Sequence, residues 1–219
     1  MHDDSIETLV TVRDWLRFAV SRFNEAGLVY GHGTDSALDE AAFLILETLR
    51  LPVDELDPWL DARLTVKERE AIARVIAERV TTRKPAPYLV NAAYIRGNRF
   101  YVDERTIVPR SYIGELIDRG LDALIAEPDA IRTVLDLCSG GGSLAILAAM
   151  ALPDATVDAV DVSPEALQVA ARNVEDYGLS KRISLIQSDL FENLSGRRYD
   201  LILSNPPYVT EAAVEAFPP

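Results

Sequence analysis

The sequence predicts an α/β fold: a doubly wound parallel sheet preceded by a small all-helical domain. Two patterns carry this expectation. From residue 132 onward, β-branched and apolar runs alternate with helical periods, the signature of strand-helix-strand units. Over the first eighty residues, apolar side chains recur only at helical spacing. A third observation is the run Asp136-Leu137-Cys138-Ser139-Gly140-Gly141-Gly142, which closes the first predicted strand and opens a helix. Sheets of this class bind nucleotide-like ligands at that place.

Leu9, Val12, Leu16, Ala19 and Phe23 mark a first amphipathic helix, and Leu38, Ala42, Ile45 and Leu49 a second. The turn Tyr30-Gly31-His32-Gly33 separates them. Thr65-Val66-Lys67-Glu68 is a capping box that starts a third helix, with Ile72, Val75 and Ile76 facing inward. Arg83-Lys84-Pro85-Ala86-Pro87 then reads as a linker, because two prolines remove donors and fix φ. Tyr94-Ile95-Arg96 and Phe100-Tyr101-Val102 flank Gly97-Asn98-Arg99 as a hairpin. Thr106-Ile107-Val108 reads as a further short strand, and residues 112–126 as a helix. Four strands follow at 133–137, 156–161, 183–186 and 199–203, with helices at 143–151 and 164–176. Ser163-Pro164 supplies an N-cap and a first-turn proline, and Gly178 the stop. The expected domains are a helical one over 1–84, a linker with hairpin over 85–110, and a ligand-binding sheet domain over 111–219.

Thirty-five acidic against 22 basic side chains give a formal net charge of -13, which disfavours a nucleic-acid partner held through phosphates. The charge is uneven: residues 1–110 hold 18 acidic and 15 basic side chains, residues 111–219 hold 17 and 7. The acidic C-terminal half either solubilises the protein or steers a basic protein partner. One cysteine forbids an intrachain disulfide, and with only His2 and His32 no ordinary structural zinc site is expected. A reducing, cytoplasmic setting follows. The acidic N-terminus and the amphipathic stretch behind it imply neither a signal peptide nor a membrane span.

Read alone, the glycine loop fits a dinucleotide fingerprint as well as a methyl-donor site, since Asp161, 21 residues beyond Gly140, can hold a ribose diol in either case. Asp136 separates the two readings. Its carboxylate would repel a pyrophosphate but suits the ammonium and sulfonium charges of S-adenosylmethionine. Ser188-Asp189, at the end of the third strand, either meets an adenine amino group or caps the following turn. After the fourth strand comes Asn205-Pro206-Pro207-Tyr208. Its amide carbonyl, its donor-free backbone carbonyl and its flat ring fit a planar NH2 group, with two acceptors for the hydrogens and a face to stack on.

Together, Asp136 to Gly142, Asp161 and Asn205-Pro206-Pro207-Tyr208 resemble the class I S-adenosylmethionine-dependent methyltransferases that act on amide or amino nitrogen. The helical N-terminal region, the hairpin and Val108-Pro109-Arg110 are similar to the glutamine N5-methyltransferases of the HemK/PrmB/PrmC type. Tyr30-Gly31-His32-Gly33-Thr34-Asp35, Pro87-Tyr88-Leu89 and Phe100-Tyr101-Val102-Asp103-Glu104-Arg105 are similar to the PrmB branch, whose substrate is a glutamine of the third large-subunit ribosomal protein. The resemblance implies a class I, Rossmann-like methyltransferase fold and a helical domain that recognises the substrate. It implies S-adenosylmethionine as cofactor, S-adenosylhomocysteine as product and no metal. Cys138, Ser139, Gly140, Gly141, Gly142 and Asp161, with Asp136, Ser188, Asp189 and Asn205, are implied as the cofactor site. Asn205, Pro206, Pro207 and Tyr208 are implied as the catalytic glutamine site. Cys138 reads as a small packed residue, His32 as a turn residue. Arg110 has two readings, a substrate contact and a surface ion-pair partner. Alternatives to the ribosomal protein are a release factor, an adenine amino group, and, outside methyl transfer, a nicotinamide cofactor. The family fold has seven strands, whereas this sequence stops soon after its fourth. Leu201-Ile202-Leu203 is continuously apolar, as in an interior strand, so further strands are expected beyond Pro219.

Overall fold

The computed structural model describes residues 4–31, 33–119 and 125–207. It divides into two compact units, Met1–Ala92 and Ala93–Pro219. Among the described residues no helix is long and apolar enough to cross a membrane.

The first unit is helical: α1 (Asp4–Thr8), α2 (Val12–Glu25), α3 (Ala37–Leu49), α4 (Val66–Thr82) and α5 (Ala86–Val90). In α2 the expected face is inward, with Val12, Leu16, Ala19 and Phe23 buried together with Trp15. The capping box of α4 forms as the sequence requires. Thr65 accepts from the Glu68 N–H, and the Glu68 carboxylate takes the Thr65 N–H at 2.7 Å. Helix α3 largely turns the predicted face inward, Ile45 being buried and Ala42 and Leu49 packed partly buried against the core, but it is rotated enough to expose Leu38. Ala37, Ala41, Leu44 and Ile45 are buried while Leu38 is 52% exposed, because the inward face also carries Glu40. That carboxylate is only 2% exposed and meets Arg79 of α4, itself 3% exposed, at 2.7 Å. Arg79 also donates to the main-chain carbonyls of Val29 and Arg83, so the pair ties both chain ends flanking the core. The segment expected to be a plain linker folds into α5, with Pro87 in its first turn, where a missing N–H costs nothing.

The second unit opens with β1 (Ala93–Ile95) and β2 (Asn98–Phe100), paired antiparallel with Ile95 opposite Asn98. The turn is Arg96-Gly97, one residue earlier than expected. Both residues have positive φ, 51° and 77°, the two-residue turn whose twist matches a hairpin. Thr106–Val108 is not a strand: Thr106 sits in a bend closed by its N–H on the Asp103 carbonyl, and residues 107–108 belong to no regular element. Helix α6 spans Tyr112–Asp118; residues 120–124 of the expected helix lie outside the described residues. The sheet consists of β3 (Thr133–Leu137), β4 (Thr156–Asp161), β5 (Ile183–Gln187) and β6 (Leu201–Ser204), all parallel, in the order β5-β4-β3-β6. Helices α7 (Ser143–Ala151) and α8 (Pro164–Asp176) connect β3 to β4 and β4 to β5. The predicted Ser163 cap is in place, its hydroxyl accepting from the Ala166 N–H, and Gly178 ends α8 at φ 67°.

The sheet's two faces differ. Val134, Val157, Ala159, Ile183 and Leu203 form one core with Ala145, Ile146 and Ala149 of α7. On the other face Leu135, Leu137 and Val160 are covered by Leu194. Strand β6 begins two residues later than expected, although the Asp200 N–H already donates to the Thr133 carbonyl at 2.9 Å. The Tyr199 hydroxyl donates to Asp158, and the Asp200 carboxylate accepts the Arg132 and Thr133 N–H groups, each at 2.9 Å. Among the described residues β6 pairs only with β3, and Ile202 is 53% exposed.

Breaking the Glu40–Arg79 pair from one side leaves a buried guanidinium without its counter-charge. Glu40→Ala is expected to lower unfolding free energy by about 3–5 kcal/mol in urea titrations. A loss below 1 kcal/mol would show that the pair does not anchor this unit.

Candidate active site

Strand β3 lies between β4 and β6, so the chain leaves β3 toward one side and returns later on the other. The crevice of an open α/β sheet opens at such a switch point, beyond the strands' carboxyl ends. The glycine loop fills the first side. Cys138, Gly140 and Gly142 all take left-handed φ, 63°, 52° and 77°. A Cβ on Gly142 would sit 3.1 Å from the Ala170 Cβ, so this glycine is required by both backbone angle and the close approach of α8. The loop is pinned by Asp161, whose Oδ2 accepts the Gly140 N–H at 2.8 Å while Oδ1 accepts the Ser163 N–H at 3.0 Å.

Asp136 lies beneath the loop and is fully buried. Its Oδ2 accepts the Ala145 N–H at 2.9 Å, and its Oδ1 has no hydrogen-bond partner among the described residues. Burial pushes its pKa up to about 7, opposed by the Ala145 bond and reinforced by the charge of Asp161. The Ser139 hydroxyl, in the same loop, is likewise buried and unpartnered. Burial, then Asp161, Asp136 and Asp189, push the Cys138 thiol up, which leaves it protonated and unsuited to nucleophilic attack.

The second side of the crevice is the end of β6. Leu137 stands opposite Ser204 in the ladder, and the Ser204 hydroxyl donates to the Leu137 carbonyl at 3.0 Å. Cys138 and Asn205 therefore leave adjacent strands, about 5 Å apart in such ladders. The Asn205 side-chain nitrogen donates to the main-chain carbonyl of Arg110 at 3.0 Å, which turns its Oδ1 into the end available to a donor. Asn205, Pro206 and Pro207 are exposed; Tyr208, like His32, lies outside the described residues. Arg110 thus reaches the motif through its backbone.

At the end of β5, Ser188 is buried. Its N–H bonds to the Asp161 carbonyl, and its hydroxyl accepts the Asn193 N–H, while Asp189 is exposed beside it. Sequence reasoning missed the apolar neighbours of these acids. Val162 (63% exposed) follows Asp161, and Leu190 (52%) and Phe191 (54%) follow Asp189; large apolar side chains left in the open beside carboxylates are the signal that could have found them.

A family model described as the methyltransferase small domain matches residues 111–217. The ribosomal protein uL3 glutamine methyltransferase of Bordetella pertussis is 52% identical over 218 residues, covering 100% of this chain and 73% of that protein. The protein of the same name from Neisseria meningitidis serogroup A is 56% identical over 218 residues, covering 100% and 72%. The chain belongs to the ribosomal protein uL3 glutamine methyltransferase family. Among solved structures, the N-terminal domain of human METTL16 in complex with SAH is similar at 20% identity and a TM-score of 0.40, over 51% of this chain and 47% of that one. Membership of a methyltransferase family implies a methyl donor, not a dinucleotide, as the cofactor.

The state of Asp136 has a measurable consequence in this family member. An unfolded Asp titrates near ~3.9, the folded one at about 7. Below pH ~4 both states hold the proton. Between the two values only the folded state does, so stability falls as pH rises through this window, by up to about 4 kcal/mol once complete. Asp136→Asn is therefore expected to match the wild type in urea unfolding near pH 4 and to exceed it at pH 8. An advantage that does not grow with pH would contradict the assignment.

Proposed function

We propose that this protein transfers a methyl group from S-adenosylmethionine to the N5 side-chain nitrogen of a glutamine in ribosomal protein uL3. One observation carries the reading: the Leu137–Ser204 register sets the glycine loop beside Asn205, whose amide is oriented by the Arg110 carbonyl. The residues present fit the cofactor. Asp136 Oδ1 and the Ser139 hydroxyl are buried polar atoms lacking partners, Asp161 stands at a strand end, and the left-handed loop brings main chain close to a ligand. Ser188, Asp189 and the apolar Val162, Leu190 and Phe191 extend that surface along the strand ends.

S-adenosylmethionine, when bound, supplies an electrophilic methyl group on a sulfonium and leaves as S-adenosylhomocysteine. The glutamine amide nitrogen is a poor nucleophile because its lone pair is delocalised, so the protein's contribution is orientation. Asn205 Oδ1 and the Pro206 carbonyl accept the two amide hydrogens, Pro207 stiffens the loop, and the ring of Tyr208 is assigned the stacking face. Orientation of this kind can contribute up to about 7–11 kcal/mol. The acceptors also stabilise positive charge as it develops on nitrogen, and the N–H proton that the methylated amide sheds passes to water at this exposed strand end. The acidic C-terminal half suits a basic ribosomal protein met in the cytoplasm, and the helical unit is assigned to recognising it.

Incubation with labelled S-adenosylmethionine and purified uL3 is expected to label one glutamine, located by mass spectrometry. Label on a release factor or on nucleic acid instead would overturn the substrate. Asn205→Ala is expected to lower kcat at least about 100-fold while S-adenosylhomocysteine affinity, measured by calorimetry, stays within about threefold. Equal losses would show that Asn205 serves the cofactor.

A further inference from the structure

We propose that Asn173 is a positioning residue: it fastens the glycine loop to the strap Tyr101–Arg110, and through that strap the loop is coupled to Asn205. The inference rests on the methyl-transfer reading above. Asn173 sits on α8 and is 1% exposed. Its Oδ1 accepts the Tyr101 N–H at 2.7 Å, and its Nδ2 donates to the Tyr101 carbonyl at 3.0 Å and to the Gly141 carbonyl at 2.8 Å. Both side-chain donors are therefore spent, one on the strap and one on the loop. Around it α8 buries Val169, Ala170 and Val174, so packing alone would be served by another apolar residue. A buried amide at this place has to be satisfied, and it is satisfied only when loop and strap are both in position.

The strap has no helix or ladder of its own, yet side chains fix it along its length. The Arg172 guanidinium lies over the Tyr101 ring, 3.5 Å from its centre. The Tyr101 hydroxyl donates to Asp103, whose carboxylate is held well below the ordinary range by Arg105. Arg105 in turn donates to Gln168 of α8 at 2.9 Å. Thr106, 8% exposed, packs against Gly141, where an added Cβ would find its Cγ2 at 3.9 Å. The strap ends at Arg110, whose carbonyl orients Asn205. Contacts thus run from the Gly141 carbonyl through Asn173 and Tyr101 to Thr106, and the covalent chain continues through residues 107–109 to Arg110 and Asn205.

Hydrogen exchange read by mass spectrometry, with and without S-adenosylhomocysteine, tests the coupling on the full-length protein. In the wild type the ligand is expected to slow exchange in peptides covering both the glycine loop and 101–110, by fivefold or more. In Asn173→Ser, loop protection should persist while strap protection disappears, with kcat down at least tenfold and S-adenosylhomocysteine affinity changed less than kcat. Strap protection that survives the substitution overturns the proposal. If Asn173→Ser loses its cooperative melt, Arg105→Ala decides, since it frees the strap from Gln168 at the surface. It should reduce strap protection and lower kcat severalfold at unchanged ligand affinity, and an unchanged kcat overturns the coupling. A wild type that does not bind S-adenosylhomocysteine sinks the functional reading and the coupling with it; binding without strap protection sinks the coupling alone.

Discussion

The parallel pairing of β3 with β6 is the constraint on which the site depends. It is pinned by side chains at both ends: Asp200 takes the Arg132 and Thr133 N–H groups where the strands begin, and Ser204 donates to the Leu137 carbonyl where they finish. A slip of one residue would invert every side chain of β6, moving Leu203 out of the core and Ile202 into it, and would carry Asn205 away from the loop. The two halves of the chemistry are thus set by a ladder register and held by polar bonds outside the ladder.

Around that register the protein accepts an electrostatic cost. Asp136 is buried with one oxygen unpaired, Asp161 stands close enough to raise its pKa, and Asp189 adds to the negative field felt at Cys138. Nothing among the described residues supplies a matching cation at Asp136. An apolar residue here would avoid that cost, and under the proposed function a positively charged ligand would supply the missing counter-charge. The helical unit shows the opposite solution, since its buried Glu40 has Arg79 as an internal partner.

Much of this was legible in the sequence. Strand-helix alternation gave the sheet segments and their connecting helices, Thr65/Glu68 and Ser163-Pro164 gave the helix starts, and the glycine loop and Asn205-Pro206-Pro207 fell at the strand ends where they were expected. What escaped depends on partners distant in the chain. The rotation of α3 follows from Glu40 meeting Arg79, 39 residues later, which no local period reveals. Asn173 looks like one more polar helical residue until Tyr101 and Gly141, 72 and 32 residues away, are brought to it. The expected strand at Thr106–Val108 failed for a local reason. β-Propensity reports fitness for a pleated, half-buried surface, and this segment opens instead on a turn in which Thr106 bonds back to the Asp103 carbonyl.

Under the proposed function, the loop after β3 and the motif after β6 hold donor and acceptor side by side. A bisubstrate ligand, with the glutamine side-chain nitrogen joined covalently to the cofactor in place of the transferred methyl, reads that juxtaposition directly by calorimetry. This ligand is expected to bind at least tenfold more tightly than S-adenosylhomocysteine, and the gain is expected to disappear in Asn205→Ala. Binding no tighter than S-adenosylhomocysteine, or a gain that Asn205→Ala leaves intact, would contradict that juxtaposition.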